Sequence, residues 1–241
     1  MSLSSALRPP GLISARLSGE TVAVVLPLLL AGLGVAGLVV ADQITGHLGH
    51  LLMIIGMTWA MMSPFAIPLA RAVARATLWW HAAVAAIVAV SVYLGVWALA
   101  GAAMHGTAEV LELLVPPGGV IALIGLGCVA AQVGRRRLML LASCQVTRPI
   151  RPGDHVRGAA HWAGLASARC LRVCAAPMML TAVQPSLIGF GAVAALLWVE
   201  RFTGRPALRV PLALGYLALT IILVLGTAAG GHPAGPHLDL H

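Results

Sequence analysis

The chain has 241 residues, of which 60% are hydrophobic and only 9% charged, and its mean hydropathy is +0.96. About a quarter of the residues of a soluble domain are charged, so fifteen basic and seven acidic side chains cannot cover a water-facing surface, and a soluble globular protein is excluded. The formal charge of +8 comes from arginine alone. These arginines sit in short groups between apolar runs with no basic domain, which is how membrane proteins mark cytoplasmic loops and not how a nucleic-acid surface is built.

A membrane-spanning helix needs about 20 mostly apolar residues, and in chain order such runs occupy about 21–41, 50–70, 78–100, 113–133, 163–183, 186–199 and 210–229. The pattern predicts an all-α, polytopic transmembrane bundle of about seven spans. Residues 1–20 form a cytoplasmic amino-terminal segment, 21–229 the helical domain, and 230–241 a flexible, His-containing tail outside. The apolar run after residue 20 is too long for a signal peptide and reads as an uncleaved first helix.

Sidedness follows from the loops. Segments 42–49, 101–112, 184–185 and 230–241 carry no arginine, whereas the other side carries thirteen: Arg8, Arg16, Arg71, Arg75, Arg135, Arg136, Arg137, Arg148, Arg151, Arg157, Arg201, Arg205 and Arg209. By the positive-inside rule the amino terminus is cytoplasmic, the carboxyl terminus is outside, and the address is the inner (plasma) membrane. Arg169 and Arg172 fall inside the fifth run, which opens a six-span alternative with 173–199 as one helix. Gln184-Pro185-Ser186, however, reads as a tight turn between two helices.

Two stretches carry candidate chemistry. In the second run Met53, Met57 and Met61 recur at i, i+4, i+8, stacking three thioethers on one helix face, with His50 joining that face and His47 preceding it. Thioether sulfur is soft and uncharged and suits Cu(I), although methionine is also an ordinary core filler. In the fifth run Cys170, Cys174 and Met178 repeat the spacing. There two thiols one turn apart either bind one ion or pack a helix interface, and Arg169 and Arg172 either favour the thiolates or anchor the helix.

The four cysteines, Cys128, Cys144, Cys170 and Cys174, are too few and too apolar in context for a disulfide framework, and a reduced or metal-bound state is expected. His47, His50, His105, His232, His237 and His241 all fall on the outer side, near Asp42, Glu109, Glu112 and Asp239, where Cu(II) or Zn(II) could be captured. His81, His155 and His161 read as polar helix ends. Glu200 is expected to pair with Arg201 or with an arginine of a neighbouring helix. Glycines 32, 34 and 37 of the first run and 125 and 127 of the fourth permit close helix approach. No metalloprotease, nucleophile-elbow, P-loop or dinucleotide motif occurs, and no enzyme activity is expected of the chain itself.

Trp59-Ala60-Met61-Met62-Ser63-Pro64, followed by Pro68, resembles the W-x-A-M-M-x-P-x-x-x-P signature of a bacterial family of predicted metal-binding integral membrane proteins, domain-of-unknown-function family 2182. Cys170, Cys174 and Val199-Glu200-Arg201 fall where that family has a CxxCC-W cluster and a later helix ending in Glu. Val173 replaces the middle cysteine and Ala175 the tryptophan, so this chain is a divergent case. The resemblance covers about residues 50–229 and implies metal binding on a helical scaffold.

The leading expectation is a membrane protein that binds, buffers or delivers copper, with zinc second. His47 and His50 collect the ion, and Met53, Met57, Met61, Cys170, Cys174 and Met178 form the soft path. The alternative is a structural or accessory subunit of a larger membrane complex, such as a copper-dependent membrane monooxygenase. In either case the lipid bilayer and partner subunits in the membrane are the expected surroundings.

Overall fold

The structure is a computed structural model and describes residues 10–41, 43, 47–78, 81–133, 137, 139, 155–183, 186–203 and 206–229. Among them are seven α-helices and no strand: α1 (Pro10–Ala41), α2 (His47–Ala76), α3 (Ala82–Leu114), α4 (Pro117–Val133), α5 (His155–Val183), α6 (Leu187–Thr203) and α7 (Arg209–Ala229), with a 3-10 turn at Pro206–Leu208. Five of them are long and apolar enough to cross a bilayer, namely α1, α2, α3, α5 and α7. The 17 residues of α4 and of α6 reach about 26 Å at 1.5 Å per residue, near the lower limit for a span. The chain is an all-α, polytopic membrane protein.

Local sequence explains most boundaries. Proline is favoured in the first turn of a helix, where its missing N–H is no loss, and Pro10 and Pro117 open α1 and α4. Ser186 caps α6, its Oγ accepting a 3.0 Å hydrogen bond from the Gly189 N–H. The break between Val183 and Leu187 excludes one helix over 173–199, so the six-span alternative fails. Two other expectations are corrected. Residues 101–112 are not a loop, because α3 runs unbroken to Leu114 until Pro116-Pro117 forbids the helical conformation before it. The fifth helix begins at His155 rather than near 163, since a polar first turn costs nothing where it need not be buried in lipid.

The chain divides into two compact units. The first comprises Met1–Ala102 with Ala142–Arg172, the second Ala103–Leu141 with Val173–His241, so α3 and α5 each contribute to both.

In the first unit α1 and α2 pack along their length. A Cβ on Gly34 would lie 2.6 Å from the Ala60 backbone nitrogen and 2.7 Å from the Gly56 carbonyl oxygen, while a Cβ on Gly56 would lie 2.8 Å from the Gly34 carbonyl oxygen. Glycine at both positions lets the two backbones touch, which is how helices associate in lipid. Gly32 meets nothing within 4 Å and Gly37 only the Gly56 Cα at 4.0 Å, so of glycines 32, 34 and 37 it is Gly34 that makes the close crossing with α2. The inward stripe of α3 is small, with Ala82, Ala85, Ala86 and Ala89 buried, and closes on Tyr93 and Trp97. Arg75 Nε donates to Glu20 Oε1 at 3.0 Å on an exposed edge.

In the second unit α4 and α7 are antiparallel neighbours, with Gly118 against Thr227 and Gly125 against Thr220. Any Cβ on Gly125 would overlap the Thr220 side chain, which its own hydrogen bond to the Tyr216 carbonyl at 2.7 Å holds in place. On the same helix α7, Gly215 meets Leu196 of α6. Leu123 and Leu126 of α4, and Ile221, Ile222 and Leu225 of α7, are exposed, as lipid-facing side chains are.

Candidate functional site

The geometry starts from a proline. Inside α5, Pro177 has no N–H to give the carbonyl four residues back, so Val173 is left with a free acceptor. Within a membrane such a carbonyl must find another donor. Arg137 supplies it, Nη1 donating to the Val173 oxygen at 2.9 Å. The same guanidinium grips Glu200 with two parallel bonds, Nε to Oε1 at 2.6 Å and Nη2 to Oε2 at 2.7 Å. Gln132 Nε2 adds a 3.1 Å bond to Oε2.

Both charged side chains are only 6% exposed, and each is compensated by this fork geometry. Burial alone would lower the pKa of Arg137, but the hydrogen bond and charge of Glu200 outweigh it and raise the value above the ordinary one. The pair ties α6 to the end of α4 and to the middle of α5.

Arg137 was expected in a cytoplasmic loop and is instead buried against Glu200. Of the two expected partners for Glu200, Arg201 or an arginine of a neighbouring helix, the structure gives one of the second kind, Arg137 beyond the end of α4. The sequence signals for this were Pro177, whose missing N–H demands a donor, and Glu200 as an isolated acid at a helix end. Neither names Arg137 among the three consecutive arginines 135–137.

The soft donors distribute as follows. On α2, Met61 is fully buried while Met53 and Met57 are half-buried. His47 and His50 lie in α2, but their side chains are outside the described residues, as are Asp42, Cys144, His232, His237, Asp239 and His241. On α5, Cys170, Cys174 and Met178 are all buried, at 4%, 5% and 5% exposure, along one stripe with Ser167 and Thr181. Cys170, in the first unit, receives a hydrogen bond from the Tyr93 hydroxyl at 3.4 Å. Cys174, in the second, follows Val173, whose carbonyl Arg137 holds. Cys128, Cys170 and Cys174 are thiols outside any disulfide.

Among the described residues no group of three or more His, Cys, Asp and Glu side chains is arranged to hold a metal ion. His105 is not gathered with other histidines there. Its Nδ1 lies 3.3 Å from the Ala182 carbonyl, one of the acceptors left over at the end of α5, and its Nε2 lies 3.7 Å from Glu109. His81 and His155 stack with ring centroids 4.7 Å apart, a contact that their separation in sequence gave no reason to expect.

Four buried polar atoms have no hydrogen-bond partner among the described residues: Ser63 Oγ, Trp97 Nε1, His155 Nδ1 and Tyr216 Oη. The fold and this buried ionic centre define a helical membrane protein with polar chemistry inside its second unit. No protein-family model, curated protein or solved structure matches the chain.

Proposed function

We propose that the protein handles copper as Cu(I) in the plasma membrane, holding the ion on thiol and thioether sulfur and buffering or delivering it. The observation that carries this reading is the α5 stripe, where Cys170, Cys174 and Met178 all turn inward and are buried instead of spending their sulfur on lipid. Soft sulfur ligands select Cu(I) over hard ions, and methionine remains a ligand in a medium that penalises charge. Met61, fully buried, with Met53 and Met57 supplies a second set of thioethers on α2, and His47 and His50 precede it as the collecting end. In this reading the amino terminus is cytoplasmic and the carboxyl terminus outside, which the one-sided placement of the arginines between the apolar runs supports.

The test is elemental analysis of protein purified in mild detergent from copper-supplemented cells, wild type beside the Cys170→Ser/Cys174→Ser variant. About one copper per chain, lost in the variant, is the expected result. Copper-free wild-type protein overturns the reading.

A second reading, an accessory subunit of a larger membrane complex, is favoured by the Arg137–Glu200 ion pair, which fixes helices and commits three of the five Arg137 donors to the protein itself. It predicts stable co-purification with partner polypeptides and indifference of that association to the cysteine changes.

A further inference from the structure

Within the second unit a histidine of α3 is held by the end of α5. The last carbonyls of a helix have no partner inside it, and α5 stops at Val183, so Ala182 offers an acceptor. His105 turns to it, with Nδ1 lying 3.3 Å from the Ala182 oxygen. An imidazole that donates through Nδ1 alone carries its lone pair on Nε2. That atom is aimed at Glu109 Oε1, one turn further along α3 and 3.7 Å away.

A lone pair and a carboxylate oxygen facing each other repel unless a cation lies between them. A proton shared by such a pair draws the heavy atoms in to about 2.7–2.9 Å, and the observed separation is wider. Two ligands bonded at about 2.1 Å to one tetrahedral ion stand about 3.4 Å apart, so the gap needs to close by only a few tenths of an ångström to become a chelate. A carbonyl on the far ring nitrogen is also what fixes the orientation of a metal-ligating histidine and raises its basicity.

The surroundings favour a cation as well. Glu112 follows on the same face at i+7 from His105, and α3 contains no arginine or lysine to compete for either carboxylate. His105 is 14% exposed and Glu109 66%, which sets the ring in the protein and the carboxylate toward the surface. A Cβ on the adjacent Gly106 would meet nothing within 4 Å, so this flank of α3 is open to an arriving ion.

We propose that His105 Nε2 and the Glu109 carboxylate bind one borderline divalent ion, Zn(II) or Cu(II). Imidazole nitrogen suits both. Binding exchanges two waters of the hydrated ion for one nitrogen and one oxygen, with no change of oxidation state. Two protein ligands leave the remaining positions to water, so the ion is exchangeable and the site one of capture and release. It is independent of the copper-handling reading, whose ligands are the sulfurs of α5 and α2.

The experiment titrates detergent-purified full-length protein with Zn(II) against a chromophoric chelator. The proteins are wild type, His105→Gln, Glu109→Gln and a variant with His232, His237 and His241 all changed to Asn, which accounts for zinc held by the tail. Wild type and the tail variant should share a site whose affinity falls at least tenfold in the two α3 variants. Because Glu109 is mostly exposed, its replacement by Gln leaves the core intact. A Glu109→Gln titration equal to wild type overturns the proposal, as does a wild type that binds no zinc or loses all of it with the tail histidines.

X-ray absorption at the zinc edge of the loaded wild type gives a second readout, with only nitrogen and oxygen neighbours expected. Sulfur at about 2.3 Å would put the ion on the thiols and refute the site. The Cys170→Ser/Cys174→Ser variant separates the two readings: it should keep its zinc whether or not it binds copper.

Discussion

Replacing Arg137 with leucine removes three hydrogen bonds at once, two to Glu200 and one to Val173. Breaking a buried ion pair from one side costs about 3–5 kcal/mol, because the surviving charge is uncompensated. The orphaned Val173 carbonyl adds about 1–3 kcal/mol. The second contribution exists only because residue 177 is proline, and this separates the two. Pro177→Ala restores an N–H to α5 and lets Val173 bond within its own helix, so Arg137→Leu should cost about 1–2 kcal/mol less in the Pro177→Ala background than in wild type. The assay is reversible unfolding in mixed detergent and dodecyl sulfate micelles, followed by tryptophan fluorescence, for wild type, both single variants and the double variant. Costs that add to within about 0.5 kcal/mol would falsify the claim that Arg137 serves the acceptor vacated by Pro177, even if Arg137→Leu proved strongly destabilising.

Further expectations concern packing, charge and topology. Gly34→Leu should destabilise by about 1–3 kcal/mol through overpacking against the α2 backbone, whereas Gly32→Leu, with open space around it, should change stability by less than about 0.5 kcal/mol; similar melting temperatures for the two would reject the crossing at Gly34. Arg75→Ala, which breaks an exposed pair with Glu20, should cost at most about 1 kcal/mol and less in high salt, and a salt-independent loss contradicts that. Because the pKa of Arg137 is raised, the stability linked to its charge is fully present below the unfolded arginine value and is lost only above the folded one; Arg137→Leu should therefore cost the same at neutral pH and through the range where lysines titrate, which unfolding at two pH values checks. For topology, alkaline phosphatase fused to the carboxyl terminus should be active and green fluorescent protein fused to the amino terminus fluorescent, and the opposite pattern inverts the orientation.

The apolar runs and the arginine spacing determined, without any structure, that this chain is a helical membrane protein. Five of the seven helices begin within about one turn of the predicted run, because a segment in lipid must satisfy its own backbone and because proline and serine act within one turn of where they stand; α1 and α5 begin earlier, at Pro10 and His155. The helix break before Leu187, where Ser186 caps α6, could be read for the same reason. The continuation of α3 past residue 100 was missed because hydropathy reports where lipid ends, and a helix ends only where its hydrogen bonding is interrupted, here at Pro116-Pro117.

The soft stripe of α5 was visible as a spacing, since i, i+4, i+8 places side chains on one face whatever surrounds the helix. That its face is the buried one was a matter of tertiary packing. So was the partner of Glu200: three consecutive arginines have equal charge, and only the path of the chain after α4 brings Arg137 within reach of both Glu200 and the carbonyl that Pro177 left open. The register of α4 against α7 belongs to the same class of fact: it is set by a glycine meeting a threonine across two helices, and local sequence carries no record of which residue will stand opposite another.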